Sequence, residues 1–244
     1  MRTIFDFENE DLLVNTFIKS LRIKKNLILN EVDCWQGRAD VAEVISENIQ
    51  LLSSEISQEQ VSLLRNLTCA KIISLLHYNS NRTTRFIYNK IGIQTKTIDA
   101  WLSKLIKAEI IVNVEVGKFR IHPEFLLPNV KFIAYEVKLY NWKRALYQAI
   151  QYKGFANKSY VVMPHKNIKP AINNLQAFVA NNIGLIEVYN DGSFKTILQS
   201  RNCRPTSKAF NIIGMGIAFD RIKKGSYNEE SLLNSEIASF QTSK

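Results

Sequence analysis

Cysteine and histidine are both scarce in this 244-residue chain, at three residues each. Cys34, Cys69 and Cys203 stand far apart, with neither C-x-x-C nor finger-type C/H spacing, so no zinc site or disulfide framework is indicated and a reducing compartment is expected. His77, His122 and His165 are equally scattered, lack H-E-x-x-H spacing, and enter no catalytic hypothesis. No segment approaches about 18 consecutive apolar residues, the minimum for a membrane-spanning helix. The opening, MRTIFDFENEDLL, has neither the basic start nor the unbroken apolar run of a signal peptide. The expectation is a cytoplasmic protein without a membrane partner. No internal repeat is visible.

What is present is positive charge. Lysine and arginine number 32 against 22 aspartates and glutamates, a formal net charge of +10. Cationic side chains that neutralise phosphates gain affinity through counterion release, so nucleic acid leads the list of partners. An excess that serves only solubility remains the alternative, and placement has to decide. With 46% hydrophobic and 22% charged residues the composition is that of a globular protein able to bury a core.

Apolar periodicity divides the chain into three stretches. Leu12, Leu13, Phe17, Ile18 and Leu21 recur at helical spacing over residues 9–24, and strands over 26–33 and 38–45 follow, joined tightly at Gly37. Residues 46–66 read as a polar, helix-compatible connector. From Thr68 come three short helices: one with Ala70, Ile72, Ile73, Leu75 and Leu76 buried, one over 84–91 capped by Thr83 and stopped by Gly92, and one starting near Thr95. A hairpin turning at Gly117 follows. After Pro128 the pattern is strand (131–139), helix (141–152), strand (159–163), helix (170–182), and a hairpin turning at Asn190-Asp191-Gly192. The fold class is therefore α/β.

The chemistry concentrates at Glu136-Val137-Lys138. Residues i and i+2 of a strand share a face roughly 7 Å apart, so these two side chains project together. The strand is otherwise apolar, and two charges there are costly unless paired or bound to a cation. A structural salt bridge would account for that pair alone. It leaves unexplained a second acid on another apolar strand, Asp40 within Arg38-Ala39-Asp40-Val41-Ala42.

Asp40, Glu136 and Lys138, with a helix, three strands, a helix and a further strand around them, resemble the PD-(D/E)xK nuclease superfamily. Ala39 stands where the motif's name has proline. Gln148 and Tyr152 fit the Q-x-x-x-Y element that RecB-like branches carry after the catalytic strand, and their spacing sets them on one helix face. The resemblance implies a restriction-endonuclease-like mixed sheet flanked by helices, in which Asp40 and Glu136 bind magnesium (Mg2+, with manganese, Mn2+, able to substitute) and Lys138 positions the hydrolytic water. It also implies an acid from the first helix, Glu8 or Glu10, with Glu10 preferred. Residues 68–122 resemble a winged helix-turn-helix, which fills the long gap between Asp40 and Glu136. In that family the third helix enters the major groove. Thr95, Lys96, Thr97 and Asp99 are then candidates for base edges, and Lys104, Lys107, Lys118 and Arg120 for phosphates.

The resulting organisation is a discontinuous nuclease core over 1–50 and 128–223, a winged-helix insertion over 51–127, and a polar, weakly ordered tail over 224–244. The implied activity is a Mg2+-dependent DNA endonuclease of restriction or mobile-element defence type. The alternatives are a catalytically inactive DNA-binding regulator and a nuclease-fold protein-interaction subunit. A homodimer, or a protein partner docked through the winged helix, is compatible with the same features.

Overall fold

The computed structural model describes residues 7–22, 26–35, 37–47 and 49–225; the tail beyond 225 lies outside them. In chain order the elements are α1 (Glu10–Arg22), β1 (Leu27–Asp33), β2 (Arg38–Ile45), α2 (Ile49–Glu55), α3 (Gln58–Arg65), α4 (Leu67–Leu75), β3 (Arg82–Thr83), α5 (Thr84–Ile91), α6 (Thr95–Lys107), β4 (Ile111–Glu115), β5 (Lys118–Ile121), β6 (Lys131–Val137), α7 (Trp142–Gln151), β7 (Lys158–Pro164), α8 (Lys169–Ile172), α9 (Leu175–Asn181), β8 (Gly184–Val188), β9 (Phe194–Leu198) and α10 (Lys208–Lys223).

A mixed six-stranded sheet in the order β1-β2-β6-β7-β8-β9 forms the centre of this α/β fold. The pairs β1–β2 and β2–β6 are antiparallel, β6, β7 and β8 are mutually parallel, and β9 returns antiparallel to β8. On one face α1 buries Leu13, Phe17, Ile18 and Leu21 against Val41, Tyr135, Val137, Tyr160 and Ile186. Acids in its first turn and bases in its last complement the helix dipole. The opposite face receives α7, whose Ala145, Leu146 and Ala149 pack on Val161, Met163 and Leu185.

Between β2 and β6 the chain makes a long excursion through α2–α6 and a small sheet in the order β3-β5-β4. Ile45 pairs with Lys131 across the main sheet, so the excursion leaves and re-enters at adjacent backbone positions. Thr83 caps α5, its hydroxyl accepting from Phe86 N at 3.2 Å, and Gly92 ends that helix in a left-handed conformation at φ 72°. The hairpin β4–β5 turns at Gly117, whose φ of 71° suits glycine.

Four features differ from the sequence expectations. The connector over 46–66 is two helices, broken at Ser57, whose side chain accepts from Gln60 N while Gln60 accepts from Ser57 N, a reciprocal capping box. The expected helix over 170–182 is interrupted between Ile172 and Leu175 and becomes α8 and α9. The two-residue strand β3 was too short to leave a pattern. Most consequential is α10, which had no counterpart in the sequence reading and is buried along most of its length between the sheet and the inserted helices. Its Asp220 accepts from Arg65 Nη1 at 2.9 Å and Gln58 Nε2 at 3.2 Å, tying it to α3 and its first residue. No helix among the described residues is long and apolar enough to cross a membrane.

Candidate active site

Strand parity sets the first two side chains. Val41 pairs with Tyr135, so one step along the ladder Asp40 and Glu136 project together from the face opposite α1. Glu136 is fully buried. Asp40 sits at the mouth, its Oδ2 accepting from Val137 N at 2.7 Å. Lys138, just past the end of β6, places Nζ 3.2 Å from Glu136 Oε1 and 3.8 Å from Asp40 Oδ2. The same ammonium donates to Glu10 Oε1 at 2.6 Å and to the Val137 carbonyl at 3.2 Å. Docking of α1 thus brings Glu10, and not Glu8, to the lysine.

Tyr152 closes the site from below. It lies in a 3-10 turn, Tyr152–Gly154, that continues α7, and its fully buried hydroxyl meets Glu136 Oε2 and the Arg38 carbonyl, the latter at 2.9 Å. A phenol has one proton for those two acceptors. Both contacts are satisfied together when Glu136 is protonated and donates to the tyrosine oxygen while Tyr152 donates to Arg38. Burial, and then the nearby Asp40 charge, push the Glu136 carboxyl up to about 7 against the opposing pull of Tyr152 and Lys138. Burial likewise raises Asp40. Burial alone would lower Lys138, but its hydrogen bond to Glu10 and the surrounding carboxylates together hold it above its ordinary value. It is an ammonium at neutral pH, a donor and a point charge.

Glu136 Oε1, completely buried, accepts no well-aligned hydrogen bond and has the Lys138 ammonium 3.2 Å away as its ion-pair partner. Gln148 Oε1, one helical turn before Tyr152, is the other buried side-chain oxygen without a partner among the described residues. A buried acceptor without a well-aligned hydrogen bond is costly, and at Glu136 Oε1 the Lys138 charge offsets part of that cost. A divalent cation at Glu136 Oε1 would satisfy that oxygen and displace the carboxyl proton. Among the described residues no three His, Cys, Asp or Glu side chains converge on one point. Asp40 and Glu136 are the two carboxylates that could share a divalent cation, and Lys138 Nζ, 3.8 Å from Asp40 Oδ2 and 3.2 Å from Glu136 Oε1, stands beside both. Gln148 makes no hydrogen bond to the other site residues, and its place in the constellation rests on position.

The other candidates lie on the excursion between β2 and β6. Thr95, Lys96, Thr97 and Asp99 are exposed at the start of α6, and Lys104 and Lys107 are exposed farther along it. Several are already engaged within the chain. Asp99 accepts from the Tyr88 hydroxyl, Lys118 pairs with Glu115 at 2.7 Å, and Lys104 Nζ lies 4.3 Å from the Trp101 ring centre. Arg120 Nε and Arg82 Nε are buried without a hydrogen-bond partner among the described residues, and the Arg82 guanidinium lies over the Phe86 ring at 5.1 Å. Arg82, on β3, escaped the sequence reading because that strand left no periodic signal.

Two further features of the site were not legible. Glu31, in β1, has a φ of 55° and pairs with Arg38 at 2.7 Å, adding negative charge beside Asp40. The Arg38 carbonyl and Val137 N–H are backbone partners, which no residue type announces. Comparison with known proteins returns no match to this chain, whether among protein-family models, curated proteins or solved structures.

Proposed function

We propose that the protein is a metal-dependent nuclease of restriction-endonuclease-like fold, acting on DNA that it grips with an inserted winged helix-turn-helix. The observation that carries the reading is Glu136 Oε1: a fully buried carboxylate oxygen with no hydrogen bond, beside a second acid and a lysine. The succession α1, antiparallel β1-β2-β6, α7 and parallel β7 supports it, being the order expected of a PD-(D/E)xK core. The order α4, β3, α5, α6, β4, β5, with β3 and β5 paired, supports the winged-helix reading of the insertion.

In this mechanism Asp40 and Glu136 would hold Mg2+ or Mn2+, which supplies charge neutralisation at the scissile phosphate and lowers the pKa of an associated water. Tyr152 fixes the Glu136 carboxylate, and Val137 N–H fixes that of Asp40. The Lys138 ammonium, steadied by Glu10, orients the attacking water and stabilises charge developing on the phosphate oxygens. It cannot serve as the base while protonated. Exposed lysines on α6 would meet phosphates of the duplex.

The test is a cleavage assay on supercoiled, linear duplex and single-stranded DNA with Mg2+ or Mn2+. Wild type is expected to cut, and Glu136→Ala and Lys138→Ala to bind DNA without cutting. Equal cleavage by all three proteins, or no cleavage by wild type with any divalent ion, would sink the reading. The rival, a DNA-binding regulator on a nuclease scaffold, draws on one observation: Lys138 is already neutralised by Glu10 at 2.6 Å. It expects salt-sensitive DNA binding with no nicking under any metal.

A further inference from the structure

Two large aromatic side chains stand exposed at the end of the sheet that carries Asp40, Glu136 and Lys138. Trp35 is 61% exposed and Tyr140 is 67% exposed. Trp35 lies in the turn from β1 to β2, and Tyr140 lies two residues beyond Lys138, in the connection from β6 to α7. Because β2 and β6 are antiparallel neighbours, the start of β2 and the end of β6 are at the same edge. The turn is anchored to the site itself: Tyr152 donates to the Arg38 carbonyl, and a side chain at Gly37 would sit 3.5 Å from the Tyr152 ring.

Trp35 is also held at a backbone cost. Its φ is 67°, a left-handed conformation that a bulky residue adopts only when its surroundings impose it, and such outliers cluster at functional sites. The surroundings here do so. Asp33 Oδ1 accepts from Trp35 N at 2.8 Å, Cys34 is fully buried on one side of it, and Arg38 pairs with Glu31 on the other. An indole displayed to water in this way covers no core. Next to Tyr140, the exposed Lys143 and Arg144 lie in the first turn of α7, so cationic groups accompany the ring at the same edge.

Exposed aromatics at the sheet end that carries the proposed nuclease centre, with cations beside them, match the requirements of an unpaired strand, whose free bases stack while its phosphates are neutralised. A base inside a duplex has no face to offer. We infer that Trp35 and Tyr140 are stacking platforms for unpaired bases on either side of the scissile phosphate, and that the substrate at the catalytic centre is single-stranded or locally strand-separated nucleic acid. The inference rests on the nuclease reading for its location and extends it to substrate class.

Binding is measured with the full chain in EDTA, so that cleavage plays no part, using a 12-nucleotide oligothymidine and a blunt duplex of equal length. Trp35→Ala and Tyr140→Ala are each expected to weaken oligothymidine binding about five- to a hundredfold, with duplex binding unchanged and Trp35→Phe retaining most of the affinity. Oligonucleotides with single abasic positions complete the cycle: at the position facing Trp35, base removal should weaken wild type but not Trp35→Ala. Thermal melts confirm that each variant is folded. Oligothymidine binding equal to wild type in both folded alanine variants overturns the inference, as does a loss that is the same with and without the base. A Trp35-dependent oligothymidine affinity in a protein that never cuts upholds the platforms and rejects the catalytic reading. Normal cleavage with no dependence on either aromatic does the reverse.

Discussion

Strands β2 and β6 set two buried glutamates in contact with two tyrosines, one pair on each face of the sheet. Glu43, toward α1, is 1% exposed and both its oxygens are used, Oε1 by Asn26 Nδ2 at 2.6 Å and Oε2 by the Tyr135 hydroxyl at 2.7 Å. Glu136, on the opposite face, meets Tyr152 through one oxygen and leaves the other without a hydrogen bond, beside Asp40 and Lys138. Depth of burial is nearly the same in the two. What separates them is completeness: the Glu43 cluster is closed, whereas the Glu136 cluster has an acceptor to spare and an acid for a neighbour. A finished network stabilises a fold, and an unfinished one leaves an acceptor that a water or an ion can take.

Exchanging the same substitution between the two faces tests that contrast most severely. Glu136→Gln should reduce metal-dependent cleavage on the order of a thousandfold while leaving the urea denaturation midpoint near that of wild type. Glu43→Gln should do the opposite, costing about 1–3 kcal/mol of stability with turnover per folded molecule retained. Matching effects from the two variants would erase the distinction.

Titration sharpens it further. The Glu136 carboxyl is raised from 4.5 to about 7, so in that window the metal-free folded protein keeps a proton that the unfolded chain has released. Stability of the metal-free protein should therefore fall as pH rises between those values and level off above them. Glu136→Gln should flatten this part of the profile, as seen in melting temperatures across a buffer series. Cation binding needs the deprotonated form, so cleavage should climb about tenfold per pH unit below the transition. Mg2+ should raise the melting temperature above pH 7 and have little effect well below it.

The smallest effect is expected far from both faces. Replacing Lys96, Lys104 and Lys107 together by alanine should lower DNA affinity about tenfold and make the slope of log affinity against log salt shallower by about 3. Cleavage per bound DNA should not change. An unaltered slope would assign that surface of α6 to a protein partner.

The parts of the site that sequence could display are those fixed by local periodicity. Glu136 and Lys138 are two residues apart across the end of β6, Gln148 and Tyr152 four apart near a helix end, and such spacings favour a shared face before any tertiary contact forms. The choice between Glu8 and Glu10 depends on how α1 docks, and the strained display of Trp35 depends on the turn around it. Neither is a local property. The missed helix α10 has a different cause: it is buried on several sides, so its apolar residues form no stripe, and its two interior glycines read as breakers. Those glycines are there for contact. A Cβ at Gly214 would lie 3.1 Å from the Phe132 ring, and one at Gly216 would lie 2.9 Å from Arg65 Cγ.

The pairing of Ile45 with Lys131 has a consequence for protein engineering. In sequence the excursion between them is a removable cassette, since a tight turn could join the two strands and leave the register of the main sheet intact. In space it is not removable, because Ile212, Ile213 and Phe219 of α10 share one core with Val61, Leu64, Ile72 and Ile73 of the excursion. A minimised chain without residues 46–130 would present that apolar surface to water and self-associate, unless α10 were repainted with polar residues on its uncovered side.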